Sequence, residues 1–141
     1  MNFVLDNSVV MRWFFGDGKP GELAYAGKVL DALRNAVARV PGIWAMEAAN
    51  VIAKAEAKEL VTEARSEVFL EMLGALAIEA EATSVTQALS DVLDVARRYG
   101  LSAYDASYLD LALREGLPLA TLDEGLERAA RKAGVRRFAP R

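Results

Sequence analysis

Four acidic residues, Asp6, Glu47, Asp105 and Asp123, stand where strands end or helices begin in the predicted secondary structure. Singly, each has an ordinary explanation: an aspartate often caps a helix or suits the positive end of its dipole, and a glutamate often lies on a solvated face. Together, four converging carboxylates repel one another unless cations or protons intervene. A divalent metal ion is the simple solution, and such an ion polarises a phosphate and lowers the pKa of a bound water.

The chain contains no histidine and no cysteine. Their absence excludes a Ser-His-Asp triad, a cysteine nucleophile and a histidine acid–base pair. It also excludes zinc sites built from thiolate and imidazole groups. A metal ion would be bound by carboxylate, amide or hydroxyl oxygens, and these hard ligands suit Mg²⁺ or Mn²⁺.

Composition indicates one globular domain over residues 1–141, with 53% hydrophobic and 26% charged residues. No apolar run approaches the roughly 20 residues of a membrane-spanning helix. The opening MNFVLD is interpreted as a buried strand and not as a signal peptide, so a cytoplasmic protein without a membrane partner is expected. The net charge of −3 means that nucleic-acid binding would need a local basic patch or a metal ion.

Hydrophobic periodicity and turn residues predict the elements that position these acids. The predicted strands cover residues 3–5, 78–83 and 117–122, with a last edge strand over 135–138. The predicted helices cover residues 8–15 with Ser8 as cap, 22–38, 45–60, 62–76, 86–99, 102–115 with Ser102 as cap, and 124–133. Residues 40–42 are predicted to be a break.

Helices between short apolar strands favour an α/β fold with a mainly parallel sheet. In such folds the ligand site lies beyond the carboxyl ends of the strands. Two predicted strands end in aspartate, the first at Asp6 and the later one at Asp123. Asn50 shares a helix face with Glu47 and is a candidate for the same ligand shell.

Four segments together resemble the PIN-domain family across essentially the whole chain. They are residues 3–10 (FVLDNSVV), 44–52 (WAMEAANVI), 99–108 (YGLSAYDASY) and 117–123 (LPLATLD). The first and third are specific as a pair. Within the family, the chain is similar to VapC-type toxins, the toxin halves of VapBC toxin–antitoxin pairs.

The resemblance implies a three-layer α/β/α domain with a central, mainly parallel sheet of four to five strands. It implies an endoribonuclease dependent on Mg²⁺ or Mn²⁺, and in the expected mechanism Asp6, Asp105 and Asp123 hold the metal ion directly or through waters, while Glu47 positions or deprotonates the attacking water. Ser8 and Thr121 match positions that often carry a hydroxyl near the metal.

The family likeness also implies a homodimer and a cognate VapB-type antitoxin, as in type II toxin–antitoxin systems. Trp13, Phe14 and Phe15 are candidates for the dimer surface or, alternatively, for the core. Asn7 departs from the small residue or threonine of many relatives, which bears on the entrance to the site.

Candidate RNA contacts are basic residues, and each has the alternative of an ordinary solvated charge. The isolated candidates for phosphate contacts are Arg12, Lys54 and Arg98. A basic C-terminal stretch either contacts RNA or a partner, or is a solvated helix face. It contains Arg128, Arg131, Lys132, Arg136, Arg137 and Arg141.

Two other functions are compatible with the same fold class. A Mg²⁺-dependent phosphatase also places an aspartate after its first strand, but phosphatases of the haloacid dehalogenase type usually need a second aspartate where this chain has Ser8. A non-catalytic PIN-like interaction module is the alternative from a different class, and the presence of all four acids argues against it.

Overall fold

A computed structural model of the chain describes residues 1–140. The strands are β1 (Phe3–Leu5), β2 (Ala38–Pro41), β3 (Ile78–Glu81) and β4 (Leu119–Ala120). The α-helices are α1 (Asn7–Phe15), α2 (Pro20–Ala32), α3 (Ile43–Ala57), α4 (Glu63–Gly74), α5 (Val85–Gln87), α6 (Leu93–Tyr99), α7 (Ala103–Glu115) and α8 (Glu124–Lys132), and a π-helix over Ala88–Val92 joins α5 to α6. No helix in residues 1–140 has the length and hydropathy to cross a membrane.

The strands of residues 1–140 form one parallel sheet in the order β3-β2-β1-β4. Residues of β1 alternate between the two faces of this sheet. Phe3 and Leu5 belong to the hydrophobic cluster that contains α1, α2 and α4 residues. Val4 belongs to the opposite cluster, with Leu109 of α7 and Leu126 of α8. The sheet therefore lies between two helical layers, which confirms the predicted α/β/α class.

The structure corrects the prediction for residues 33–42. The helix predicted over residues 22–38 ends at Ala32, with Leu33 at its C-cap. Strand β2 pairs with β1 and β3. It is formed by residues that the sequence predicts as the end of that helix and the break after it. Ala38 and Val40 are fully buried there. Pairing on both sides and burial stabilise a strand that local propensity does not predict.

Three smaller corrections concern helix boundaries and the chain end. Helix α1 begins at Asn7, so Ser8 lies inside the first turn and is not its cap. The helix predicted over residues 86–99 contains the π-helix. Residues 135–138 contribute an isolated parallel bridge between Arg137 and Leu119 instead of an edge strand.

The three consecutive aromatic residues of α1 take part in core packing. Phe14 is buried and contacts the rings of Phe15 and Phe69. The indole Nε1 of Trp13 donates a hydrogen bond to the carbonyl of Ala26 at 2.7 Å and so joins α1 to α2. These contacts favour the core over the dimer surface as the role of this segment.

The chain end is held to the core by Phe138, whose ring stacks on Phe3 with centroids 3.9 Å apart. We expect Phe138→Ala to lower the free energy of unfolding by about 3–5 kcal/mol, because it removes a buried ring and leaves a cavity. Denaturant unfolding measures this change. The control Val68→Ala, at an exposed position of α4, should stay within about 0.5 kcal/mol of the wild type. A Phe138→Ala chain of wild-type stability would contradict the packing described.

Candidate active site

The topology brings acidic residues from three neighbouring strand ends to one edge of the sheet. Asp6 directly follows β1, Asp123 follows β4, and Glu47 lies in the first turns of α3, which begins just after β2. Strands β2, β1 and β4 are parallel neighbours, so their carboxyl ends share an edge. Helix α7 runs back toward β4 and begins at the same edge, where it carries Asp105 in its first turn.

Asp6 is held by two hydroxyl groups. Its Oδ2 accepts hydrogen bonds from Ser8 Oγ at 2.6 Å and from Thr121 Oγ1 at 2.8 Å. The side chain is 5% exposed, and this burial raises the pKa of Asp6, as does the charge of Asp123, whereas the two hydroxyl donors lower it. The two hydroxyls expected near the metal therefore fix the orientation of a carboxylate that has lost most of its water.

Asp123 has two roles in the local structure. Its Oδ1 accepts a hydrogen bond from the backbone N–H of Leu126 at 2.8 Å and so caps α8. Its own backbone N–H donates to Thr121 Oγ1 at 3.0 Å. The cap that the sequence offers as an alternative is thus formed, and the same residue remains exposed at the sheet edge beside Asp6.

Glu47 is bound by a residue that the sequence analysis did not single out. The hydroxyl of Tyr108 donates to Glu47 Oε1 at 2.6 Å. Burial and this hydrogen bond both raise the pKa of Tyr108, so its hydroxyl stays protonated as a donor. Tyr108 lies three residues after Asp105 on α7, and that helical spacing was the available signal.

Charge interactions link the acids of this edge. Burial, and then the charges of Asp123 and Asp6, raise the pKa of Asp105. Burial raises the pKa of Glu47, the Tyr108 hydrogen bond lowers it, and the charges of Asp6 and Asp105 raise it further. Charge interactions therefore connect Asp6 and Asp105 with each other and each of them with both Glu47 and Asp123.

The chemistry of this edge fits a divalent cation. Among residues 1–140, none of the four acids forms an ion pair with lysine or arginine. In the same residues, no three acidic side chains are close enough to hold one ion directly. Mg²⁺ keeps several of its waters and needs few direct ligands, and carboxylates without a cation repel one another. The donor set therefore suits Mg²⁺ or Mn²⁺, while the choice of Asp6, Asp105 and Asp123 as ligands stays a prediction.

In the described residues, the other predicted site and RNA-contact residues make no hydrogen bond or ion pair with the four acids. Asn50 is exposed one turn beyond Glu47, and within residues 1–140 its side chain makes no protein hydrogen bond. Arg12 forms an ion pair with Asp17 at 3.0 Å. No hydrogen bond or ion pair in the described residues joins Lys54 or Arg98 to the acids. Their contacts with RNA stay predictions.

Asp110 has a structural role. It is 5% exposed and binds Arg114 Nε at 2.9 Å. Arg114 also binds Glu81 of β3 at 2.8 Å, and Glu81 in turn binds Arg39 of β2 at 3.0 Å. This network fastens α7 to the sheet, so the helix that carries Asp105 is rigidly placed.

An apolar groove adjoins the acidic edge. Its volume is about 460 Å³, and it is lined by the residue before Glu47, the residue before Asp105 and the π-helix, including Met46, Tyr104, Leu89, Val92 and Ile43. Met46, Tyr104 and Leu89 are all exposed. Exposed apolar patches of this kind mark contacts with other molecules.

The model of the PIN domain family matches residues 3–132. The chain belongs to the PIN domain family. The matched range contains Asp6, Glu47, Asp105 and Asp123, and these PIN residues lie at the sheet edge described above. A sequence comparison with curated proteins found no match.

Solved structures share this PIN fold at low sequence identity. The structure of PAE2754 from Pyrobaculum aerophilum has a TM-score of 0.68 and 23% identity, covering 92% of this chain and 79% of the other. VapBC2 from Rickettsia felis, bound to a promoter DNA fragment, has a TM-score of 0.67 and 13% identity, covering 98% of each chain. FitAcB from Neisseria gonorrhoeae has a TM-score of 0.62 and 21% identity, covering 99% of this chain and 98% of the other.

The raised pKa of Glu47 predicts how the free energy of unfolding depends on pH. A carboxyl whose pKa is higher in the folded chain favours folding at low pH, and this contribution falls as pH rises through the interval from its ordinary to its raised pKa. Glu47→Gln removes the charge and keeps an oxygen that accepts from Tyr108. Without divalent ions, we expect its melting temperature to exceed the wild-type value by a few degrees at about pH 7.5 and to equal it at about pH 4.

The control for this comparison is Glu67→Gln, at an exposed position of α4. It should leave the melting temperature unchanged at both pH values. A gain for Glu47→Gln that persisted at low pH, or no gain at neutral pH, would contradict charge repulsion at the acidic edge.

Proposed function

We propose that this PIN domain is an endoribonuclease dependent on Mg²⁺ or Mn²⁺ and the toxin of a type II toxin–antitoxin system. The observation that supports it is the gathering of Asp6, Glu47, Asp105 and Asp123 at one sheet edge with no basic side chain paired to them within residues 1–140. PIN domains are generally nucleases, which supports phosphodiester hydrolysis as the reaction class.

In the proposed mechanism, Asp6, Asp105 and Asp123 would hold the metal ion, some of them through its bound waters, because no three acidic side chains in residues 1–140 are close enough to bind one ion directly. When bound, the ion polarises the phosphate and acidifies water. Asp6 is oriented for this role by Ser8 and Thr121 and cannot turn away without breaking two hydrogen bonds.

Glu47 is the proposed base. It takes a proton from the attacking water as the water oxygen bonds to phosphorus and the bond from phosphorus to the leaving sugar oxygen breaks, and the leaving oxygen takes up a proton from solvent water. Its raised pKa makes it a better proton acceptor than an ordinary glutamate. Tyr108 fixes one of its oxygens at 2.6 Å and thereby sets the direction of the other.

The structural neighbours support a protein partner. The Rickettsia felis neighbour is VapBC2, and a further neighbour with a TM-score of 0.58 is a toxin–antitoxin complex from Klebsiella pneumoniae. We propose a VapB-type antitoxin for this chain on the strength of that fold. A cytoplasmic location goes with this assignment.

We expect Asp6→Asn to reduce RNA cleavage at least about a hundredfold, because several kcal/mol of metal-derived stabilisation are lost with the ligand. A labelled RNA incubated with Mg²⁺ or Mn²⁺ measures the rate. Millimolar Mg²⁺ should also raise the melting temperature of the wild type and have a smaller effect on the variant, because the ion binds the folded state.

The matched control is Asp31→Asn, which removes an exposed carboxylate of α2 and should cleave like the wild type. Wild-type cleavage by Asp6→Asn would reject the assignment. If the wild type does not cleave RNA but hydrolyses a phosphomonoester, the result would support the phosphatase alternative instead.

We further propose that the apolar groove beside the site is covered by a second copy of the chain in a homodimer.

Leu89→Glu should raise the dimer dissociation constant at least about thirtyfold, because a charge would enter the apolar contact. Light scattering after size-exclusion chromatography measures the mass. Val68→Glu is the matched control, since both side chains are 70% exposed and Val68 lies on α4. Equal masses for wild type and Leu89→Glu would refute this interface.

A further inference from the structure

The last 18 residues differ in charge from the rest of the chain. Residues 124–141 contain six basic and two acidic side chains, for a net charge of +4. Residues 1–123 contain eleven basic and eighteen acidic side chains, for a net charge of −7. The positive charges lie on α8 and the segment after it, at Arg128, Arg131, Lys132, Arg136 and Arg137, while Arg141 lies outside the described residues.

These arginines are largely uncompensated. Within residues 1–140, Arg128, Arg136 and Arg137 make no ion pair, and Arg131 shares an exposed contact of 3.3 Å with Glu127. Most arginines before residue 124 are paired with acids, namely Arg12, Arg34, Arg39, Arg97 and Arg114. The surface formed by Arg128, Arg131, Arg136 and Arg137, here named the basic surface, therefore attracts an anion.

One arginine of the basic surface is held in place. The guanidinium carbon of Arg137 lies 4.0 Å from the ring centroid of Tyr25. The Tyr25 hydroxyl donates to the carbonyl of Phe138 at 2.7 Å, which anchors the ring. A stacked guanidinium plane is pre-organised and loses little conformational freedom when it binds phosphate.

One end of the basic surface adjoins the acidic edge. Helix α8 starts directly after Asp123. An added Cβ on Gly125 would lie 3.3 Å from Asp123 Oδ1 and 3.9 Å from Arg128 Nη2, so Arg128 reaches back toward Asp123. A groove of about 340 Å³ between α8 and the segment after it is lined by three arginines and one acid among its charged residues, together with Thr121: Arg131, Arg136, Arg137 and Glu127. Thr121 is also the residue that donates to Asp6.

We infer that the basic surface binds the phosphate backbone of single-stranded RNA next to the phosphate that is cleaved. This inference rests on the proposed ribonuclease function. An acidic domain repels a polyanion, so a local basic surface has to supply the attraction. Arginine suits this task because its planar fork donates to two phosphate oxygens at once. Contacts with phosphates position the strand without selecting a base sequence.

The test measures binding of a fluorescein-labelled single-stranded RNA to the full chain carrying Asp6→Asn, by fluorescence anisotropy at several KCl concentrations. Arg128→Gln and Arg136→Gln, each added separately, should weaken binding roughly fivefold at low salt and reduce the slope of log affinity against log salt by about 0.7. Both positions are exposed, and melting temperatures verify the fold. The control is Arg34→Gln, which should leave the affinity and the salt slope unchanged. Arg34 is exposed and lies before the amino end of β2, whereas the acids lie at the carboxyl ends of the strands.

The outcomes separate this inference from the proposed function. If the wild type cleaves RNA while both arginine variants bind with unchanged affinity and salt slope, the inference is overturned and the ribonuclease stands. The basic surface would then serve a protein partner or solvent. If the wild type neither binds nor cleaves RNA, the proposed function fails and the inference fails with it. Loss of affinity without a change in slope would also count against phosphate contacts.

Discussion

The repulsion among carboxylates gathered at one sheet edge is the constraint on which the rest of the structure depends. Asp6 is almost completely buried, and within residues 1–140 the cost of its charge is offset by hydroxyl donors and not by a basic side chain. Ser8 comes from α1 and Thr121 from the residue after β4, so β1 and β4 must stay in register for both donors to reach one oxygen. The sheet therefore supplies the stability that the acidic edge lacks.

Several residues serve the fold and the site together. Asp123 caps α8, and Tyr108 fills the cluster between α7 and the sheet while its hydroxyl binds Glu47. The ion pairs from Asp110 through Arg114 to Glu81 fasten α7 to β3. A site held by such packed elements keeps its side chains oriented before a ligand arrives, which is the condition for electrostatic catalysis.

Charge is distributed unevenly along the chain, and this distribution connects the site with its surroundings. The acidic edge belongs to the net-negative part, and α8 leads from it into the net-positive end. If the chain binds RNA as proposed, the anionic strand is attracted on the α8 side of Asp123 and repelled by the carboxylates on the other side. A divalent ion would remove that repulsion, so attraction by the basic residues and neutralisation by the metal are complementary requirements.

Residue types and strand-end positions in the sequence predict the α/β class, because hydrophobic period and turn residues are local properties, and they also make the four acids candidates for the site. The fold confirms the α/β class, and the family model matches a range that contains the four acids, whose roles stay predictions. Strand β2 was missed, because Ala38 and Val40 become a strand through pairing with β1 and β3. The hydrogen bond from Tyr108 to Glu47 joins residues 61 positions apart. The helical spacing from Asp105 indicates the face of Tyr108, but no local pattern encodes its partner. Only the tertiary structure decided that the hydroxyls of Ser8 and Thr121 both donate to one oxygen of the buried Asp6, since that contact depends on which strand ends become neighbours.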